Sequence, residues 1–151
     1  MKAEWGEQAD LKDLSLVTAS DFREYDLVIA GGSTVGADTW QEASKGNLWG
    51  VFFSQLEPGS LKGLNVALFG LGDQVLYPNH FVDSLGQLHR EFTKAGAVLL
   101  GKWPADGYKF TASEALVGNH FLGLALDEDW QADQTLSRIR TWTEQLKNEM
   151  A

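Results

Sequence analysis

Two short runs hold residues whose types and spacing suit ligand chemistry. Val66 to Phe69 leads into Gly70-Leu71-Gly72-Asp73-Gln74-Val75-Leu76-Tyr77, and Leu27 to Ala30 leads into Gly31-Gly32-Ser33-Thr34. Glycine lets backbone approach a ligand closely, and an acid, an amide and a phenol at the tip bring acceptors, donors and a flat ring. Apolar strand, tight glycine turn and polar or aromatic tip are how an open parallel α/β sheet presents a ligand-binding edge. The candidates are Ser33 and Thr34 on the first turn and Gly72, Asp73, Gln74 and Tyr77 on the second. Neither strand is preceded by a Gly/Ser/Thr-rich phosphate loop.

Other chemistry finds little support. His80, His89 and His120 are the three histidines and lack metal-ligand spacing. His89 falls on an amphipathic helix and reads as surface or boundary. His80 lies near the second glycine turn and carries a minority reading as ligand or proton partner. Ser33, Ser44 and Ser84 lack a nucleophile-elbow context. Asp127-Glu128-Asp129 reads as a solvated acidic turn. No carboxylate pair suggests acid–base catalysis, so an enzyme is not expected.

The elements that must position these residues follow from hydrophobic patterning. Leu27 to Ala30, Leu64 to Phe69 and Ala97 to Leu100 are dense apolar runs without alternation, as strands covered on both faces require. Thr18 with Asp21 three residues on marks a helix start. Ala9 to Leu14 suggests a short exposed strand or turn. Leu48 to Leu56 is aromatic-rich and suits a helix. Asn79 to Ala95 repeats Phe81, Leu85, Leu88 and Phe92 at helical spacing. Trp130 to Met150 does the same with Leu136, Ile139, Trp142 and Leu146. Residues 101–129 read as a strand-rich insertion able to pack as a small subdomain. The whole is a single α/β domain over 1–151 with a parallel sheet.

Net charge is −9, from 12 basic and 21 acidic residues, which disfavours nucleic acid and anionic lipid and suits a basic protein partner. Absence of cysteine excludes disulfides and thiolate metal sites. No apolar signal core or membrane-length run is evident, so a cytoplasmic protein is the expectation.

At Tyr25 to Gly31, Ala67 to Val75 with Tyr77, Gly101 to Pro104, Asp106 to Tyr108, Phe121 to Asp129 and Arg138-Ile139, the sequence resembles the long-chain flavodoxins. The resemblance covers residues 9 to 149. It implies a doubly wound five-stranded parallel sheet ordered 2-1-3-4-5, non-covalent FMN and single-electron transfer between partner proteins. It implies flavin contact at Asp73, Gln74 and Tyr77, the last by stacking on the ring. It also implies one further strand and a Thr/Ser-rich phosphate loop ahead of the matched region, which this sequence lacks. Val35 stands where the family often has an aromatic. Trp40, in the long segment 36–47, is a candidate replacement for that ring, although packing against the loop base is the preferred reading. Leu76 stands where glycine is common.

Two functions follow as expectations. The first is a flavodoxin-derived protein whose FMN phosphate site is degenerate or absent, with FMN weak or lost. It acts through protein contacts, as a homodimer or with another protein, through the edge of Leu27 to Ala30 left open by the missing strand. The alternative is an FMN-dependent one-electron carrier serving a redox partner. A shortened N-terminus is a third reading, and a segment Met1 to Leu16 folded back over the edge is the monomeric one.

Overall fold

Residues 1–33 and 48–151 are described by the computed structural model. Thr34, Val35 and Trp40 lie outside the described residues.

The apolar run after Asp26 forms β1 (Leu27–Ser33), which pairs in parallel with β2 (Asn65–Leu71) from Leu27↔Asn65 to Ser33↔Leu71. The other edge of β2 is taken by two strands placed end to end. β3 (Val98–Leu100) pairs with its first half, Asn65↔Val98 to Ala67↔Leu100. β7 (Leu124–Leu126) pairs with its second half, Phe69↔Leu124 to Leu71↔Leu126. All three pairings are parallel, so long crossovers return the chain to the same end.

Alternating side chains send β2 into two cores. On one face Val66 and Leu68 meet Phe22, Phe52, Leu85 and Phe92. These come from α2 (Ala19–Phe22), α3 (Leu48–Ser54) and α4 (Asp83–Lys94). On the other face Ala67 meets Leu124, Ile139, Trp142 and Leu146, the last three from α5 (Ala132–Met150). Helix α1 (Lys2–Trp5) joins this face through Met1 and Trp5. The expected parallel α/β sheet with helices on both faces is therefore present, with four strands among the described residues where five were expected.

Several boundaries differ for identifiable reasons. Helix α4 starts at Asp83, not Asn79, because Val82 adopts a left-handed conformation (φ 48°, ψ 33°) that no right-handed helix accommodates. Helix α5 starts at Ala132 because the backbone N–H groups of Asp129 and Trp130 donate to the Asp127 carboxylate instead. Leu136 is 64% exposed and lies off the stripe, whereas Arg138 and Thr143 are buried. The Thr18–Asp21 capping box forms, with Thr18 N–H donating to Asp21 at 2.7 Å. Ala9 to Leu14 forms no strand, and its end begins a 3₁₀ turn, Leu14–Leu16.

The insertion is not a separate subdomain. Its strands β4 (Trp103–Pro104), β5 (Leu116–Val117) and β6 (His120–Phe121) form a small antiparallel sheet ordered β4-β6-β5. Its aromatics, however, complete the main core. Phe81 lies 5.6 Å from Tyr108, 5.5 Å from Phe110 and 5.8 Å from Phe121, centroid to centroid. Leu124 to Leu126, read from sequence as part of the insertion, belongs to the main sheet.

Among the described residues no strand pairs with the outer edge of β1. A groove of about 560 Å³ runs along it, lined by Leu11, Leu14, Val28, Ile29 and Trp49 among others. The N-terminal segment does not fill this groove by pairing. It anchors on α5, where Glu4 meets Arg140 at 3.3 Å, then crosses near Tyr25, whose hydroxyl donates to Asp10 at 2.7 Å. No described helix is long and apolar enough to cross a membrane.

Two predictions follow. A Cβ on Gly86 would stand 2.5 Å from the Glu114 carbonyl oxygen. Ala in a helix normally gains about 1 kcal/mol over Gly, but overpacking against fixed backbone costs about 1–3 kcal/mol. Gly86→Ala should therefore lower the thermal midpoint, as read by calorimetry. Partial burial, with Lys102 and Arg90 nearby, lowers the His89 pKa below 6.5. The unfolded chain then binds more protons between the two values, so stability falls as pH drops through that window. Urea titrations at pH 7.5 and 5.5 should show a smaller loss in His89→Gln than in wild type.

Candidate functional site

Both candidate turns open at the same end of the sheet because β1 and β2 are parallel and in register. Gly32 lies opposite Gly70 and the exposed Ser33 opposite Leu71. Trp49 braces this end of β1 by donating its indole N–H to the Gly31 carbonyl at 3.3 Å.

The turn after β2 is held from both ends. Gly72 N–H donates to Leu126 O at 3.0 Å, which extends the β2–β7 pairing by one residue. Asp73 then organises a single tight turn. Its Oδ1 accepts from Val75 N–H at 2.9 Å, Leu76 N–H at 2.8 Å and the Trp130 indole at 2.9 Å. Its carbonyl accepts from Tyr77 N–H at 3.0 Å. The result presents Leu76 (69% exposed) and Tyr77 (52% exposed) on a stiff loop at the sheet edge.

Gly72 also has a packing role. A Cβ there would lie 3.0 Å from Val82 N and 3.0 Å from the Phe81 ring. The glycine admits the backbone and ring that begin α4.

Gln74 turns inward and is 2% exposed. Its Nε2 donates to Asp127 Oδ2 at 2.8 Å and its own N–H reaches the same oxygen at 3.1 Å. Its Oε1 accepts from Lys109 N–H. The side chain is thus committed within the protein, as is the residue's own N–H.

Asp127 is the member of this cluster that sequence reasoning missed. Read as part of a solvated acidic run, it is 0% exposed, unlike Glu128 and Asp129. Its Oδ1 accepts from Asp129 N–H at 3.0 Å and Trp130 N–H at 2.9 Å. The available signal was its position directly after the buried run Leu124 to Leu126. Tyr108 entered the sequence reading within the insertion and within the family resemblance, with no role of its own. Its hydroxyl donates to Ala125 O at 2.6 Å and accepts from the Trp103 indole at 2.9 Å. Burial raises the phenol's pKa above 10.0, partly opposed by the Arg138 guanidinium, whose carbon lies 4.1 Å over the ring.

Ser33, Gly72, Asp73 and Tyr77 are thus brought to one edge, with the backbone of Gln74. His80 is exposed and its Nδ1 lies 2.9 Å from Asp83 Oδ2, which places it at the start of α4. Among the described residues no group of His, Asp and Glu has metal-binding geometry. A rigid, half-exposed aromatic loop over the C-terminal edge of a parallel sheet suits a planar heteroaromatic ligand.

The flavodoxin family model matches residues 2–142. The flavodoxin of Klebsiella pneumoniae is 42% identical over 146 residues, covering 94% of this chain and 83% of the relative. That of Synechococcus elongatus is 40% identical over 140 residues, covering 93% and 79%. The crystal structure of Fusobacterium nucleatum flavodoxin bound to flavin mononucleotide superposes with a TM-score of 0.68 at 25% identity, over 86% of this chain and 75% of that one.

Tyr108→Phe should destabilise the protein by about 1–3 kcal/mol, because it strands the Trp103 indole and the Ala125 carbonyl in a part-buried setting. Urea unfolding followed by tryptophan fluorescence reads the change.

Proposed function

The chain belongs to the flavodoxin family, and on that premise we propose that it carries single electrons on non-covalently bound FMN. The observation that carries this reading is the turn from Gly72 to Tyr77, stiffened by Asp73 and Asp127 at the C-terminal edge of β2. The residues fit the ring end of the ligand. Tyr77 offers a half-exposed ring for stacking on a flavin, carried on a turn whose N–H groups at Gln74, Val75, Leu76 and Tyr77 are held within the protein. Ser33 stands at the neighbouring strand end. Bound FMN supplies the one-electron redox chemistry. The protein's part is to hold the ring, limit water and fix the polar groups around it, with no substrate turnover of its own.

Partner choice follows from charge. Leu76, Tyr77 and Trp130 are exposed apolar side chains, Leu76 and Trp130 both tied to Asp73, and Glu128 and Asp133 are exposed acids close to Trp130 in sequence. Such a surface suits a basic redox partner met in the cytoplasm, with association rates that fall as salt rises.

This carrier reading replaces the protein-contact role as the leading one, since the matched relatives are named flavodoxins. Titration calorimetry with FMN and with riboflavin separates the two. Tight FMN and weaker riboflavin binding mean an intact phosphate site and a carrier. Equal, weak binding means a degenerate phosphate site and favours protein contacts. In either case Tyr77→Ala should weaken both ligands alike, by about fivefold, the equivalent of ~1 kcal/mol of stacking. Unchanged affinity would remove Tyr77 from the site.

Among the described residues no strand pairs with the outer edge of β1, and this favours a second reading that is compatible with the first. The apolar run Leu27 to Ala30 could pair with the same edge of a second copy about a two-fold axis. Light scattering at low micromolar concentration should give twice 16.6 kDa. A monomer whose β1 amides resist hydrogen exchange would exclude the homodimer.

A further inference from the structure

We infer that Asp127 is the positioning residue of the flavin-facing turn, an inference that rests on the carrier reading for its redox consequence only. The carboxylate is fully buried, and no salt bridge to it is formed among the described residues. Its charge is met by four N–H donors: Gln74 N, Gln74 Nε2, Asp129 N and Trp130 N, at 2.8–3.1 Å. Two of these belong to the candidate turn after β2 and two to the turn after β7. One side chain therefore fastens together loops 53 residues apart in sequence.

The fastening reaches the candidate turn through Trp130 and the insertion through Gln74. Trp130, whose N–H is held by Asp127, donates its indole to Asp73 Oδ1, the oxygen that also holds Val75 and Leu76. Gln74, held by the other carboxylate oxygen, passes the constraint to Lys109 N–H. A change at Asp127 should therefore loosen Val75 to Tyr77 without touching any ligand atom. It should also alter the electrostatics of the site. A buried negative charge opposes the arrival of an electron nearby far more than an exposed one does.

Asp127→Asn tests this, with Asp129→Asn as the control. The control removes the same formal charge from an exposed neighbour whose backbone, not side chain, contacts Asp127. Asparagine keeps one acceptor oxygen but sets an NH₂ where two donors now meet, so one pair of bonds must fail. Three quantities are read: amide exchange at Val75 to Tyr77 in the flavin-free protein, affinity for riboflavin and FMN, and the midpoint potential of the bound flavin. The expected result for Asp127→Asn is faster exchange, about tenfold weaker binding of both ligands, the equivalent of ~1.4 kcal/mol, and a more positive potential. Asp129→Asn should move none of these appreciably. Unchanged exchange and affinity in Asp127→Asn would overturn the inference, as would equal shifts in the control. Faster exchange in a protein whose wild type binds no flavin would uphold the fastening and sink the carrier reading instead. Should Asp127→Asn not fold, Gln74→Leu removes only the Nε2 and Oε1 links and should loosen the same amides to a smaller degree; no loosening would again overturn it.

Discussion

A strand hydrogen-bonded along both edges and covered on both faces has no freedom to slide, and β2 is such a strand. Its register with β1 fixes which residues reach the end of the sheet together, and its two outer neighbours fix where the chain can leave. A one-residue slip would exchange Val66 and Leu68 with Ala67 and Phe69 between the cores, which differ in size. The position of Gly72 to Tyr77 is thus inherited from core packing. The loop needs no large apolar contact of its own, which is why Leu76 and Tyr77 remain available at the surface.

What the loop does need is polar satisfaction. Residues 73 to 77 present several N–H groups in a short span, and a carboxylate on each side absorbs them: Asp73 from within the turn, Asp127 from below it. Charge-assisted hydrogen bonds of this kind are shorter and stronger than neutral ones, and burial heightens them further. Tyr108 plays a supporting part by fixing Ala125, two residues before Asp127, through a hydroxyl that is itself capped by an indole.

The sheet was legible because its strands are apolar on both faces, a pattern that loops and surface helices do not share. Helix α4 was legible from Leu85, Leu88 and Phe92, but its first turn was not. Phe81 has the right spacing, yet the left-handed backbone at Val82 is a tertiary compromise with Gly72 that no periodicity reveals. The glycine turn and Tyr77 were found by type and position. Gln74 was found too, but its side-chain direction depends on a partner 53 residues away. Asp127 was hidden by its neighbours. In a run of three acids, composition argues for solvent, and only the end of a three-residue strand decides otherwise. The insertion was misjudged for a similar reason: Tyr108, Phe110 and Phe121 have no period, so their shared destination around Phe81 cannot be read locally.

The outer neighbour of β2 being two pieces, not one, has a consequence for how the molecule comes together. β3 joins β2 after a crossover through α4, so its pairing engages no residue that follows Leu100, although the Ala67 face on which it lies is completed by α5. β7 reaches the other half of β2 through the intervening excursion, which delivers Phe121 and Leu124 to opposite cores. The longer connection carries the larger closure entropy, which makes the rim pairing the one more readily lost when the chain opens. A molecule seated at the rim would act as a latch on that pairing.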